Sequence, residues 1–312
     1  MSFPPISVRQ GRGLPALAAA TVVVMVLVIL WGAVVRATGS GAGCGAHWPL
    51  CNGEILPHHP RLATLIEFTH RATTGVCSTL SLVVIVWTFL ARPEGDRSRK
   101  AAVASGLLIV TEALLGRALV LHGWVDRNTS DMRSVMQCIH FTNTLLLLAA
   151  FTLMWWWLRP RAVYESTAAQ RNVSWMALLS TILVGATGSV AALADTLFPA
   201  PSLRQALAQD FAAGAPLLIR MRWMHPASAA LSMVCVVWLC TRVRLRASRL
   251  LACLLAAQLV LGAGDVLLLA PTWMQVLHLL GADLFWIALV TFTADILVSA
   301  KQPAFALAQA AA

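Results

Sequence analysis

Charge is what this sequence has least of. Asp, Glu, Lys and Arg make up 12% of its 312 residues against 59% hydrophobic, and the mean hydropathy is +0.75, which excludes an ordinary soluble globular domain. Acidic residues are scarcer than basic ones, 13 against 23, giving a net charge of +10. That excess would suit a nucleic-acid partner, but the Arg residues flank apolar runs, where they orient a chain in a bilayer, so a nucleic-acid partner is discounted. The first apolar run lacks a small-residue cleavage site and is too long for a removed leader, so it reads as a retained helix. No apolar run carries two His spaced thirteen or fourteen apart, the spacing that would stack two haems across a membrane, which disfavours a transmembrane electron wire.

What is present is a series of apolar stretches of about twenty residues, enough to cross a hydrocarbon core of roughly 30 Å. Eight spans are expected, over 14–35, 66–90, 101–121, 135–158, 172–193, 222–241, 248–269 and 274–298. Counting Lys and Arg by side gives fourteen with the termini and the loops after spans two, four and six (Arg9, Arg12, Arg92, Arg97, Arg99, Lys100, Arg159, Arg161, Arg171, Arg242, Arg244, Arg246, Arg249, Lys301). The other side has eight: Arg36, Arg61, Arg117, Arg127, Arg133, Arg204, Arg220 and Arg222. The positive-inside rule places both termini in the cytoplasm. Trp155, Trp156 and Trp157 beside Arg159 fit an inner interfacial anchor.

The second half repeats the first. Gln137 and His140 align with Gln275 and His278, and His70 aligns with His225. Gly32 and Ala33 align with Gly185 and Ala186, while Glu112 and Gly116 align with Gln258 and Gly262. The expected architecture is an all-α integral membrane protein of eight transmembrane helices in two pseudo-symmetric four-helix bundles, residues 1–160 and 161–312, with lipid as its surroundings.

Four of eight His fall inside spans: His70, His140, His225 and His278, each three to seven residues past an expected span start and so within roughly 10 Å of the outer boundary. A single intramembrane His serves equally as a hydrogen bond to a neighbouring helix. Four placed by a repeat favour function, and two opposed imidazoles per bundle suit the axial positions of a haem better than a zinc ion, which wants further ligands close by. Glu67 stands one helical turn before His70, where the other half has Arg222. It is placed to exchange protons beside a bound substrate, or else to pair with Arg71 or Arg36 at a helix start.

Cys44 and Cys51 share the first outer loop, where an oxidising face permits a disulfide, as a staple or as a redox pair. Arg36, Arg71, Arg220 and Arg222 lie near the outer boundary, suited to haem propionates or to interfacial snorkelling. His47, His58, His59 and His122 read as solvated, Cys77, Cys138, Cys235, Cys240 and Cys253 as packing residues, and Asp283 as a deeper charge without an assigned role.

Three motifs, Val35-Arg36-Ala-Thr-Gly-Ser-Gly-Ala-Gly-Cys44, Trp48-Pro-Leu-Cys51-Asn-Gly and Glu67-Phe-Thr-His70-Arg71, followed in order by His140, His225 and His278, make the chain resemble the heme A synthase family over nearly its full length. The resemblance implies an oxidoreductase that converts a methyl group of heme O to a formyl group through hydroxylated intermediates and supplies heme A to terminal oxidases. It implies a resident heme B between His225 and His278, with substrate heme O between His70 and His140, and Glu67 beside the reacting methyl. It implies that Cys44 and Cys51 form the outer disulfide of one family branch, that a heme O synthase and terminal-oxidase assembly are partners, and that the protein lies in a bacterial inner membrane. The outer loop 194–221 lacks the second Cys pair of some relatives, and Glu112 stands where the resemblance implies Gln. Arg117 and His122 make the end of that span unusually polar. The competing readings from the residues are a bis-His cytochrome b exchanging electrons with quinone and a haem exporter or chaperone.

Overall fold

A computed structural model describes residues 13–160, 164–243 and 246–298. The described residues form ten helices: α1 (Gly13–Ala37), α2 (Leu62–Ala91), α3 (Arg97–Leu121), α4 (Asp131–Trp157), α5 (Ala168–Leu197), α6 (Leu203–Asp210), α7 (Leu217–Arg220), α8 (Met224–Arg242), α9 (Arg246–Leu267) and α10 (Thr272–Val298). Eight stretches are long and apolar enough to cross a membrane, α7 and α8 joining in one, Leu217–Arg242. All eight expected spans are therefore present. Arg9, Arg12, Arg161, Arg244 and Lys301, used in the charge count, lie outside the described residues, as does the side chain of Arg246.

The second to fifth spans each begin one turn earlier than the apolar runs, at 62, 97, 131 and 168. For the last three the reason is capping. Asp96, Ser130 and Thr167 accept from the backbone N–H of Ser98, Arg133 and Gln170, and Gln170 returns a bond to the Thr167 N–H, so each helix starts in a polar turn that hydropathy does not register. The short helices α6 and α7, which lie between α5 and α8, go beyond the expected spans. Ser202 caps α6 through Gln205, but a two-turn helix carries too little periodicity to be read from composition.

Packing closes two rings. Helix α1 packs on α2 and α4, and α3 on both α2 and α4; α5 packs on α8 and α10, and α9 on both α8 and α10. The rings meet through α1 and α4 against α5 and α10. At this seam lies a continuous core containing Leu148, Phe151, Met154, Leu289 and Ile296, fully buried, and Trp286 on α10 donates its indole N–H to the Leu145 carbonyl of α4 at 2.9 Å. The outward faces expose Leu90, Leu107, Leu179 and Val260 by 62–75%, an arrangement suited to hydrocarbon and costly in water. Buried Thr88, Thr152 and Thr293 return their hydroxyls to carbonyls four residues back, and Thr88 also reaches Met154 Sδ of α4 at 3.7 Å.

Candidate functional site

The four intramembrane His sit on diagonal helices of the two rings, His70 on α2 with His140 on α4, and His225 on α8 with His278 on α10. They lie eight, nine, eight and six residues beyond Leu62, Asp131, Leu217 and Thr272, deeper along their helices than the apolar runs predict because the helices start earlier, yet within three residues of one register.

Each imidazole rests against a glycine of the helix packed beside it. A Cβ on Gly32 (α1) would stand 3.1 Å from His70 Cε1, on Gly116 (α3) 3.8 Å from His140 Cε1, on Gly188 (α5) 2.9 Å from His225 Cε1, and on Gly262 (α9) 3.0 Å from His278 Cε1. A Cβ at Gly188, Gly262 or Gly32 would press on its ring, whereas the 3.8 Å at Gly116 is ordinary contact. The counterpart of Gly32 is thus Gly188, not Gly185; the space beside Gly185 is filled by Leu145 and Phe141 of α4. Sequence alignment put that pair one turn out of place, whereas Gly116 with Gly262 is as expected.

The rings of His225 and His278 face one another with centroids 6.2 Å apart and planes at 80°. Two imidazoles each bonded at about 2 Å to one metal between them would hold their centroids roughly 6 Å apart. Nδ1 of His70 and of His140 are buried without a hydrogen bond, although Oε1 of Glu112 approaches the latter to 3.5 Å. The opposed imidazoles of His225 and His278 and the glycine close to each of the four rings fit a planar group ligated on both faces. Among the described residues no cluster of three His, Cys, Asp or Glu suits a bare metal ion.

Glu67 is 3% exposed and fully engaged. Its Oε2 accepts from the Cys44 backbone N–H at 2.8 Å, and its Oε1 accepts from Arg71 Nε at 3.1 Å and Nη2 at 2.5 Å. Arg71 in turn donates from Nη1 to the carbonyls of His47 and Leu50, both at 2.7 Å. A disulfide joins Cys44 and Cys51 within that loop. The carboxylate one turn before His70 is therefore bolted to the loop between α1 and α2, with Arg71 as its partner.

The second half reverses the polarity. Arg222 donates to Asp195 Oδ1 from Nη1 at 2.8 Å, to Asp210 Oδ1 from Nε at 2.8 Å, and to the Ala206 carbonyl from Nη2 at 2.8 Å, tying α5 and α6 to the start of α8. Arg36 leaves its own ring. From α1 it donates to the Ala192 carbonyl at 2.7 Å and Thr196 Oγ1 at 2.6 Å on α5, and to Gln275 Oε1 at 2.7 Å on α10. The sequence grouped Arg36 with the first His pair; the structure bonds it to Gln275, three residues before His278. Its reach of 239 positions along the chain had no sequence signal. His122 stacks on Trp124 at 4.5 Å, and Arg159 lies 4.3 Å over the Trp155 ring while Trp156 bonds Asp295, so those aromatics are held by protein contacts.

Residues missed as a group are Glu112, Asn143 and Thr144 beside His140, and Gln258 beside His278. Asn143 Nδ2 donates to Glu112 Oε2 at 2.7 Å, Thr144 Oγ1 donates to Glu112 Oε1, and Gln258 Nε2 lies 3.1 Å from His278 Nδ1. The available signal was the aligned Glu112 and Gln258, two polar residues inside apolar spans.

Comparison with known proteins gives a consistent picture. The COX15-CtaA family model, described as cytochrome oxidase assembly protein, matches residues 16–290. The chain is 43% identical over 279 residues to a protein of Thermus thermophilus called protoheme IX farnesyltransferase, covering 85% of this chain and 45% of that protein. It is 34% identical over 143 residues to the heme A synthase of Geobacillus kaustophilus, covering 46% of this chain and 43% of that protein. With the heme A synthase of Symbiobacterium thermophilum it shares 36% identity over 135 residues, 43% of this chain and 41% of that protein. The chain spans about half the length of the curated relatives it matches.

Proposed function

The chain belongs to the COX15-CtaA family, the family of heme A synthases, and on that premise we propose that it oxidises a methyl group of heme O to the formyl group of heme A. The observation that carries the reading is an inequality between the two His pairs: among the described residues the buried carboxylate Glu67 stands one turn before His70, whereas Arg222 stands at the matching position before His225.

Converting a methyl to a formyl group, balanced with one water, releases four protons and four electrons, so an external acceptor must take up the electrons and protons must leave the site. When bound, the haem iron supplies one-electron redox chemistry. His70 and His140 hold the substrate haem, and Glu67 accepts or returns the proton at Oε1 or Oε2, its position fixed by Arg71 and the Cys44 N–H. The loop closed by Cys44 and Cys51 covers that carboxylate and excludes water. His225 and His278 hold a resident heme B, for which the 6.2 Å ring separation is the support. Arg36 and Arg222 order the outer end of that second site, and Arg71 that of the first.

The same reading makes the rings two pseudo-symmetric bundles, 1–160 and 161–312, with both termini cytoplasmic and both His pairs towards the outer face of a bacterial inner membrane; the matched Gly–His contacts and the basic inner loops support it. An enzyme that prenylates protoheme IX supplies the substrate, in keeping with the name of the Thermus relative, and the product passes to terminal-oxidase assembly.

The test is to express the chain with a heme O supply, extract the membrane haems and separate them with mass detection. Heme A in the wild type, with heme O or a hydroxylated intermediate accumulating in Glu67→Gln, is expected. Heme B and heme O alone in both, from folded and haem-loaded protein, would replace this reading with electron transfer.

A further inference from the structure

The two His pairs differ at a second place, beside His140 and His278. Helix α3 brings Glu112 to His140, with Oε1 3.5 Å from Nδ1. Helix α9 brings Gln258 to His278, with Nε2 3.1 Å from Nδ1 and donating to the His278 carbonyl at 3.1 Å. Both residues stand four positions, one helical turn, before the glycine that abuts the same imidazole, Gly116 or Gly262. One half thus presents a carboxylate to the ring nitrogen where the other presents an amide.

The difference is built into the surroundings. Three and four residues after His140 come Asn143 and Thr144, and both donate to Glu112, Asn143 at 2.7 Å. Asn143 is itself held by the Leu108 carbonyl at 3.0 Å and by Thr111 Oγ1 at 2.7 Å. Three and four residues after His278 come Gly281 and Ala282, which have no side-chain donor. The space beside Gly281 is taken by Gln258 itself: a Cβ there would meet its Oε1 at 2.4 Å. The first half therefore sets a carboxylate against two donors, whereas the second sets an amide against a glycine, with Gln258 Oε1 left without a donor.

We propose that Glu112, clamped by Asn143 and Thr144, is a positioning residue that orients His140 and, by its negative charge beside Nδ1, makes an iron ligated by His140 harder to reduce than one ligated by His278. A carboxylate behind a metal-bound imidazole fixes which nitrogen faces the metal and makes that nitrogen a stronger electron donor, which favours the oxidised metal. The amide of Gln258 carries no net charge and lacks this effect. The first site then favours Fe(III) while the second gives and takes its electron at higher potential. This inference rests on the haem site proposed between His70 and His140.

The test is a spectroscopic redox titration of the full chain in lipid nanodiscs loaded with haem B. His140→Ala and His278→Ala assign the low-spin signals to the two sites. Glu112→Gln is expected to raise the reduction constant of the first site about tenfold, ~59 mV for one electron, and to leave the second in place. Gln258→Glu is expected to move the second site in the opposite direction. A first-site potential unmoved by Glu112→Gln, or a shift of the same size at both sites, overturns the inference while leaving the haem site standing. A spectrum indifferent to His140→Ala overturns the haem site and the inference together.

Discussion

Arg36 of α1 donates from Nη2 to Gln275 Oε1 of α10 at 2.7 Å, so a residue from the first ring of helices is bonded one turn ahead of His278 in the second. With its bonds to the Ala192 carbonyl and Thr196, the guanidinium fork spans the seam where the rings meet. The halves are thus joined by a polar clasp near one end and by the Phe151, Leu289 and Trp286 core along the rest.

Arg36→Leu should therefore damage the second His pair before the first. Losing three bonds from a charged donor and leaving Gln275 Oε1 unpaired is expected to cost about 2–4 kcal/mol. The measurement is thermal unfolding of the detergent-solubilised chain together with the haem signal assigned to His278, which should fall while that of His140 persists.

The four glycines give a graded series. Gly188→Ala and Gly262→Ala put a methyl about 3 Å from an imidazole carbon and should displace His225 and His278. Gly32→Ala should have a smaller effect, and Gly116→Ala should be tolerated, because the distances run 2.9, 3.0, 3.1 and 3.8 Å. Total haem by pyridine haemochrome, with the loss assigned to a site by the low-spin signal that each His→Ala variant removes, checks the order; a damaging Gly116→Ala beside a silent Gly188→Ala would contradict the packing described.

Removing Arg71 should be worse for the fold than neutralising Glu67. Arg71→Ala leaves the 3% exposed carboxylate without its cation and also frees the His47 and Leu50 carbonyls, a loss on the order of 3–5 kcal/mol. Glu67→Gln keeps the shape and leaves Arg71 its loop contacts. Unfolding midpoints of the two variants should separate in that order, while only Glu67→Gln leaves folded protein that accumulates substrate.

The Cys44–Cys51 staple closes a loop with a sequence separation of 7, for which chain entropy gives about 2.5 kcal/mol. Cys44→Ser is expected to lose that stabilisation and to loosen the Cys44 N–H contact to Glu67, lowering heme A yield with the His225 and His278 signal retained. Thiol alkylation with mass detection on the wild type, before and after reduction, verifies the bridge itself.

Arg222→Leu should release α6. With both Asp195 and Asp210 unpaired, the helix Leu203–Asp210 loses its anchor to α8 and is expected to become the first site of limited proteolysis. Protection equal to wild type would show that the loop is held by other contacts.

Apolar length and the order of His and Cys motifs are properties of the chain read in one dimension, and they sufficed for the eight spans and the family. The physical reason is that a hydrocarbon slab demands some twenty apolar residues whatever the neighbours, so each polar intrusion stands out against its run. Helix starts were displaced by a turn because capping bonds, not hydropathy, begin a helix at Asp96, Ser130 and Thr167. What only the tertiary structure decided is partnership: that Gly188 and not Gly185 abuts His225, that Arg36 serves the other half, and that Glu112 finds Asn143 and Thr144. Those outcomes depend on how helices rotate and cross when they pack, and a rotation of one residue, about 100°, sends a side chain to a different neighbour.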